Sequence, residues 1–365
     1  MAIDLGITGF ISSACLFGRF FIMPTPFFSI CIPAYNPGNY FHECLKSIAG
    51  QSFQDYEVVV VDDGSAIPVQ NSVFEDVGLD LAKCKIIRTA NCGPYAARKT
   101  AFLHSIGSVL VSIDVDDALL DFHALSKLKE EYLDTNADLI LYNASRSKVN
   151  PINMIDYSEI NFGADLHANS ELFKKAFAGD YMFNSLCVKA YKRASLPKFA
   201  KDRPRILMGE DRMMDIDLLP YVHSVALINE PLYFYRPAEN SITQNHYSIF
   251  YYEQLSYVEG ELLSARSDFG FSMEDWAKNF LRVTSNALLA IRYNTDLNFR
   301  DRIHSYSEMR HAHAFLVARE YLDLSKISLF QKLQLLLFSN EAYLGVDLLM
   351  LPKKVFSWLK VMLRK

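Results

Sequence analysis

Cysteine is sparse in this 365-residue chain. The six thiols (Cys15, Cys31, Cys44, Cys84, Cys92 and Cys187) form no Cys-x-x-Cys pair and have no companion histidine at metal spacing. That pattern argues against a zinc scaffold and a disulfide framework, and for reduced thiols in a cytosolic protein. A charge excess of one sign is also missing. With 37 basic and 42 acidic side chains the net charge is -5, which gives no global reason to bind nucleic acid. The apolar stretch over residues 5 to 23 is interrupted by Gly6, Ser12, Ser13, Gly18 and Arg19, and Asp4 stands where an export signal would carry positive charge. It is marginal in length for a membrane span. Three readings of residues 1–26 stay open: a membrane-lying leader, a weak transmembrane anchor, or an extension outside the natural chain. The last is preferred, because Met23-Pro24-Thr25-Pro26 directly precedes the first strand and would make a natural start.

Apolar residues are plentiful. Half of the chain is hydrophobic and 13% aromatic, with 26 Phe and 20 Tyr, enough to build a large ordered core. The run Ser108 to Asp117 organises the reading: an apolar, β-branched strand that ends in Asp114, Asp116 and Asp117. Such a run reads as a buried parallel strand, and ligands of open α/β sheets sit beyond the carboxyl ends of such strands. If the extended backbone continues through Val115, Asp114 and Asp116 share one face. Three acids there need a cation, and oxygen ligands without His or Cys suit Mg²⁺ or Mn²⁺.

Other strands are expected at 27–33, 58–61, 85–88, 139–142 and 225–228, with Tyr233 to Arg236 leading out of the last. Helices are expected between them: Phe41, Cys44, Leu45 and Ile48 follow helical spacing, a second helix runs from about Tyr95 to His104 with Arg98 and Lys99 early on, and a third carries Leu125, Leu128 and Leu133. Strands alternating with helices imply βαβ units and a mostly parallel sheet. Asp62 and Asp63 follow the second strand as the other acids follow the fourth, so both pairs should open on one edge of the sheet. A further pair, Glu210 and Asp211, begins a helical run. Any one acidic pair reads as a solvated loop or helix cap; acids gathered on one edge repel and would be costly without a metal and ligand. Arg98 could pair with one of them or with a phosphate.

Taken in order, Ser29-Ile-Cys-Ile-Pro-Ala-Tyr-Asn36, Gln51-Ser52-Phe53, Glu57 to Ser65, Asn91-x-Gly93 with Ala97-Arg98, Asp114-x-Asp116-Asp117 and Glu210-Asp211 resemble the family 2 glycosyltransferases of the GT-A fold. The resemblance covers residues 27–245, and the ordered set is more specific than any single motif. It implies an inverting transfer from a nucleotide sugar, most often a UDP-sugar. By position it implies that Pro33, Ala34 and Tyr35 line the nucleotide pocket, that Asp63 reads the base beside Arg98, and that Asp114 touches the ribose. It assigns the metal to Asp116, the general base to Asp211 with Glu210 in support, and the diphosphate to Arg236 and Ser241. Lys99 departs from the family, where Asn is common, and no processive Gln-x-x-Arg-Trp stretch is present, which favours single additions.

Residues 246–365 read as helical, with Leu281, Ala287, Leu288 and Ile291 as core positions. At the end, Val355, Trp358, Leu359 and Met362 share one face, while Lys353, Lys354, Lys360, Arg364 and Lys365 add five cations with no acid after Asp347. This reads either as an interfacial anchor at the inner membrane face, which would suit a glycan or lipid-linked acceptor in surface-polysaccharide assembly, or as a helix closing the core. Two other functions compete with this one. A sugar-nucleotide nucleotidyltransferase would favour a Gly-rich basic loop after the first strand, which Pro33-Ala34-Tyr35-Asn36 is not. An inactive nucleotide-sugar-binding module is opposed by the intact Asp116 and Asp211.

Overall fold

The computed structural model describes residues 25–158, 177, 181–196, 202–237, 248–294 and 296–350. The N-terminal stretch, Ser241 and the basic C-terminal end lie outside these residues. Eight strands form one sheet in the order β3-β2-β1-β4-β7-β6-β8-β5: β1 Phe28–Ala34, β2 Tyr56–Asp62, β3 Cys84–Arg88, β4 Val109–Ser112, β5 Ala118–Leu119, β6 Leu139–Ser145, β7 Lys189–Lys192 and β8 Val225–Phe234. The first four pair in parallel, as the alternating pattern implied. β7 then enters antiparallel between β4 and β6, and β5 closes the far edge antiparallel to β8, so the sheet is mixed. The expected strand at 225–228 and the segment after it are one strand, with register shifts opposite Tyr142 to Ala144.

Local chemistry explains the elements that frame the carboxyl edge. β2 is buried at every position, which its Val58–Val61 run permits without alternation. Helix α1 (Tyr40–Ala49) lays Phe41, Cys44, Leu45 and Ile48 on the sheet, as their spacing predicts, and ends at Gly50. The short α2 (Ser72–Glu75) follows β2. Helix α3 (Pro94–Leu103) starts with Pro at its first turn, where no amide partner is needed. Gly64 has φ 78°, and a Cβ on it would stand 2.9 Å from the amide nitrogen of Asn91. The Gly-Ser after β2 and the Asn-x-Gly after β3 therefore form one contact, with backbone against backbone.

Helix α4 (Ala124–Thr135) buries Leu125 and Leu128, but Leu133 is 62% exposed, contrary to its expected core role. The helix ends two residues later at Thr135, and Asn136 caps it in the left-handed region. Helix α5 (Glu210–Leu218) precedes β8, and the chain then runs through α6 (Ile249–Ala265), α7 (Met273–Tyr293), α8 (Phe299–His311), α9 (His313–Tyr321), α10 (Leu329–Ser339) and α11 (Tyr343–Leu349). The expected core positions Leu281, Ala287, Leu288 and Ile291 are buried on α7. One continuous apolar core runs from Phe28 in the sheet to Met350 after the last of these helices. Among the described residues no helix is long and apolar enough to cross a membrane.

Candidate active site

The strand of β4 stops at Ser112, two residues before the acids. The amide of Asp117 donates to the carbonyl of Asp114 at 3.1 Å, closing a turn over Asp114–Asp117. The expectation that Asp114 and Asp116 share an extended face therefore fails, because an acid-rich segment leaving a buried strand turns rather than continuing into solvent. The turn gives each acid a separate environment. Asp117 is buried, accepting from the Tyr233 hydroxyl at 2.7 Å and the Arg236 amide at 2.8 Å. Burial and the neighbouring Asp114 push it up to about 8. Asp116 is exposed, and among the described residues no side chain pairs with it. Partial burial of its carboxyl, with Asp114 beside it, raises its pKa. Asp114 turns inward to Arg98.

Arg98 is the centre of the site. It lies in the second turn of α3 and is 3% exposed. Its guanidinium meets Asp114 at 2.8 Å, Asp211 at 3.0 Å and Glu210 at 3.3 Å. Burial opposes its charge, but three carboxylates hold it protonated. One cation against three anions leaves the cluster negative. Asp211 is pushed up to about 7, first by burial, with Glu210 and Asp114 adding to it and Arg98 opposing. Arg98 Nε and Asp211 Oδ1 are buried and lack a hydrogen-bond partner among the described residues. Unpaired polar atoms of this kind are characteristic of ligand sites.

The helix bearing Asp211 is fixed by ion pairs to several elements. Gly209 precedes it with φ 83°, and a Cβ there would meet Leu255 of α6 at 3.0 Å. Arg212 pairs with Glu259 of α6 at 3.0 Å, both buried, and Glu259 accepts from Asn279 of α7. Asp215 pairs with Lys189 of β7 at 2.8 Å, and both are almost fully buried. Arg203 bridges Asp217 and Glu261 of α6, while Tyr95 of α3 donates to Asp217 at 2.6 Å. No sequence signal marked Lys189, Asp215 or Glu259, since their partners are distant along the chain.

The acids after β2 have other work. Asp62 accepts from Ser65 and Val69 amides and from Arg88; although burial opposes it, these donors hold it below the usual carboxylate range. Asp63 faces the turn after β3: it accepts from Thr89 Oγ1 and from the amides of Cys92 and Gly93 at 2.9 and 2.8 Å. Both pairs open on the same edge of the sheet, but these two are committed to the loops. Ala34 is buried, Pro33 half-buried, and Tyr35 is 53% exposed at the mouth of the edge. Arg236 stacks on Tyr40 at 3.9 Å and donates to the Asp116 carbonyl and to Glu43 of α1. Tyr40, Glu43, Asp117 and Tyr233 thus brace the acid turn, although none was singled out for such a role in the sequence. A cavity of about 680 Å³ lies between residues 36–42 and 66–76, and its lining includes none of the Arg98 cluster.

Among the described residues no group of three or more His, Cys, Asp or Glu is placed to hold a metal ion. Among the described residues no side chain pairs with Asp116, so its carboxylate could take a cation. That fits an ion such as Mg²⁺ or Mn²⁺, which binds through one or two carboxylates and takes its other ligands from substrate phosphates and water.

A mixed sheet with acids at its carboxyl edge, clasped by an arginine from the neighbouring helix, defines the class: an α/β protein of GT-A architecture. Its fold is similar to that of Staphylococcus aureus TarS 1–349, at TM-score 0.58 and 17% identity over 88% of this chain and 90% of that one. The same protein solved with UDP-GlcNAc aligns at TM-score 0.60 and 15% identity, with the same coverage. By sequence, residues 29–199 match the model of glycosyl transferase family 2. It is 26% identical over 233 residues to the uncharacterized glycosyltransferase EpsJ of Bacillus subtilis, a match spanning 61% of this chain and 64% of EpsJ. It is 24% identical over 228 residues to the glycosyltransferase GlyG of Streptococcus pneumoniae, spanning 60% of this chain and 74% of GlyG.

Proposed function

We propose that the chain is an inverting, metal-dependent glycosyltransferase that moves a sugar from a nucleotide sugar, of UDP type, to an acceptor hydroxyl. The observation that carries this reading is the meeting of Asp114, Glu210 and Asp211 on the buried Arg98. TarS, solved with UDP-GlcNAc, supports a uridine donor.

Asp211 is the base. A carboxylate titrating near neutrality is available as the anion and still binds a proton well, which suits general base catalysis. It takes the proton of the acceptor hydroxyl as that oxygen bonds to the anomeric carbon. The bond from that carbon to the diphosphate oxygen breaks on the opposite face, its electron pair leaves with the nucleoside diphosphate, and the configuration inverts. Arg98 and Glu210 orient Asp211. On the donor side Pro33 and Ala34 line the pocket and Tyr35 offers its ring to the base. Asp63 reads the base edge with the acceptor capacity its three protein donors leave over. Asp114 meets the ribose, and Arg236 and Ser241 approach the diphosphate. Asp116 would hold Mn²⁺ or Mg²⁺, whose charge offsets the one that grows on the leaving diphosphate.

The acceptor is a glycan or lipid-linked glycan of cell-surface polysaccharide or glycolipid assembly, and the enzyme works peripherally at the cytoplasmic face of the membrane. The five cations and Trp358 of the C-terminal end support that placement. The test is a panel of nucleotide sugars with Mn²⁺, with and without EDTA, read as nucleoside diphosphate release. Release from one donor, lost with EDTA, is expected; a protein that neither binds nor turns over any nucleotide sugar overturns the reading.

A further inference from the structure

Two strand ends meet beside the acid turn. β6 and β8 run parallel to each other, and β6 runs in the direction of β4, since β7 is antiparallel to both. The residues that follow β6 and β8 therefore emerge on the edge that carries Asp114–Asp117. There Arg146 lies over the Tyr235 ring at 5.6 Å, Lys148 Nζ stands 4.6 Å from the centre of the Phe234 ring, and Arg236 covers the same ring at 5.1 Å. One carboxylate serves two of these cations. Glu43 of α1 accepts from Arg236 through Oε2 at 2.7 Å and from Lys148 through Oε1. Among the described residues neither cation pairs with another acid. A carboxylate whose two oxygens face two different cations is disposed as a phosphate would be, and the Glu43 side chain, 41% exposed, has solvent into which to swing.

The side of the turn on which these cations lie decides which phosphate they meet. The connections from β1 to β2 and from β3 to β4 cross the sheet in opposite directions, so right-handed crossovers put α1 and α3 on opposite faces. The acid turn stands between them. Its Asp114 carboxylate meets Arg98 of α3, which also holds Asp211, whereas its Asp116 carbonyl meets Arg236, which Glu43 of α1 holds. An inverting displacement sets the base and the departing group on opposite sides of the anomeric carbon. With Asp211 on the α3 side, the diphosphate departs on the α1 side, where the cations are. We propose that Lys148 binds the donor's diphosphate: Glu43 stands in for the phosphate in the free protein, and donor binding exchanges it for the diphosphate on Lys148 and Arg236. Lys148 lies beyond Arg236 as seen from Asp116, so it meets the phosphate farther from the ribose. When the bond from the anomeric carbon to the diphosphate oxygen breaks, its electron pair passes to that oxygen, and the Lys148 ammonium offsets the added charge without giving up a proton. This inference rests on the glycosyl-transfer reading above and adds a residue that no motif in the sequence marked.

The test is calorimetry of the full chain with UDP and with UMP in Mn²⁺, with transfer kinetics beside it. Lys148→Met should weaken UDP about tenfold, the loss of one charge-assisted hydrogen bond, and leave UMP within about twofold of wild type. Lys148→Arg, which keeps the cation, should recover most of the UDP affinity. Glu43→Gln, which removes the stand-in, should bind UDP at least as tightly as wild type. Thermal unfolding of Lys148→Met should stay unchanged, since the pair with Glu43 is at the surface. Equal losses for UDP and UMP overturn the inference, as does Glu43→Gln that binds UDP more weakly, which would make Glu43 a brace of the turn. Unchanged UDP affinity in Lys148→Met with a raised KM for the acceptor assigns the cation to an acceptor phosphate and also overturns it. Wild type that binds UDP and releases it from a donor, matched in both by Lys148→Met, fails this inference alone. Wild type that binds neither UDP nor any nucleotide sugar fails the reading of the function with it.

Discussion

Arg98 and Asp211 stand 3.0 Å apart without an aligned hydrogen bond between them. The buried guanidinium attracts the carboxylate but does not occupy the oxygen facing it. An acid held this way keeps its basicity, because a well-directed donor would have pulled its proton affinity down.

The first expectation concerns that oxygen. Asp211→Asn should lower transfer by about 10² to 10⁴, the range of general base catalysis, while calorimetry finds donor affinity within about threefold of wild type. Normal turnover by the variant would remove Asp211 from the chemistry.

Its titration gives a second. As the proposed base acts ionised, kcat should rise with pH through a midpoint near 7, and the limb should vanish in Asp211→Asn. Stability runs the other way. The folded-state pKa is raised above the ordinary 3.8, so the stability this group contributes is fully present below about 4 and is lost as pH climbs through about 7. Thermal unfolding of wild type and Asp211→Asn across that window should therefore converge at low pH and favour the variant at high pH.

Asp116→Ala should leave the fold unchanged, since among the described residues no side chain pairs with it. Donor affinity in Mn²⁺ should fall about tenfold or more, to the level wild type reaches in EDTA. Equal metal enhancement in both proteins would place the ion elsewhere.

Glu259→Gln leaves Arg212 buried without its counter-charge and should cost about 3 kcal/mol, read from denaturant unfolding. Replacing both partners, as Arg212→Met with Glu259→Leu, should restore much of that stability but not turnover, because the turn bearing Asp211 then loses its tether to α6. Full recovery of kcat in the double variant would make the pair purely structural.

The parallel half of the sheet and the helices on it were legible because period and punctuation are local: Val58–Val61, the Phe41 to Ile48 spacing, Gly50. The acids were legible as separate motifs. Their arrangement was not, because the partners of Arg98 lie 16 to 113 residues away along the chain, and nothing local chooses among carboxylates. The turn at Asp114–Asp117 escaped because the expected face assumed that an extended strand continues, whereas one amide of Asp117 ends it. The commitment of Asp63 to the amides of Cys92 and Gly93 was hidden for a similar reason: a carboxylate at a strand end looks alike whether it serves a loop or a ligand. Lys189 and Asp215 show the same limit in the core, where a charged residue inside a strand reads as exposed until its partner is placed.

The ties from the Asp211 helix to Glu259 and Glu261 bear on how such a protein can be inherited. An enzyme whose reactive carboxylate is anchored in its own sheet can exchange its trailing helices with a relative, trading acceptors as interchangeable parts. Here the flanking residues Arg212 and Arg203 take their counter-charges from α6, and Gly209 leaves no room between the two helices. A splice after residue 245 would carry the acids away from the residues that seat them. The trailing helices and the helix bearing Asp211 must therefore change together, and a recombinant between two relatives should survive only where the grafted helix supplies acids at the positions of Glu259 and Glu261.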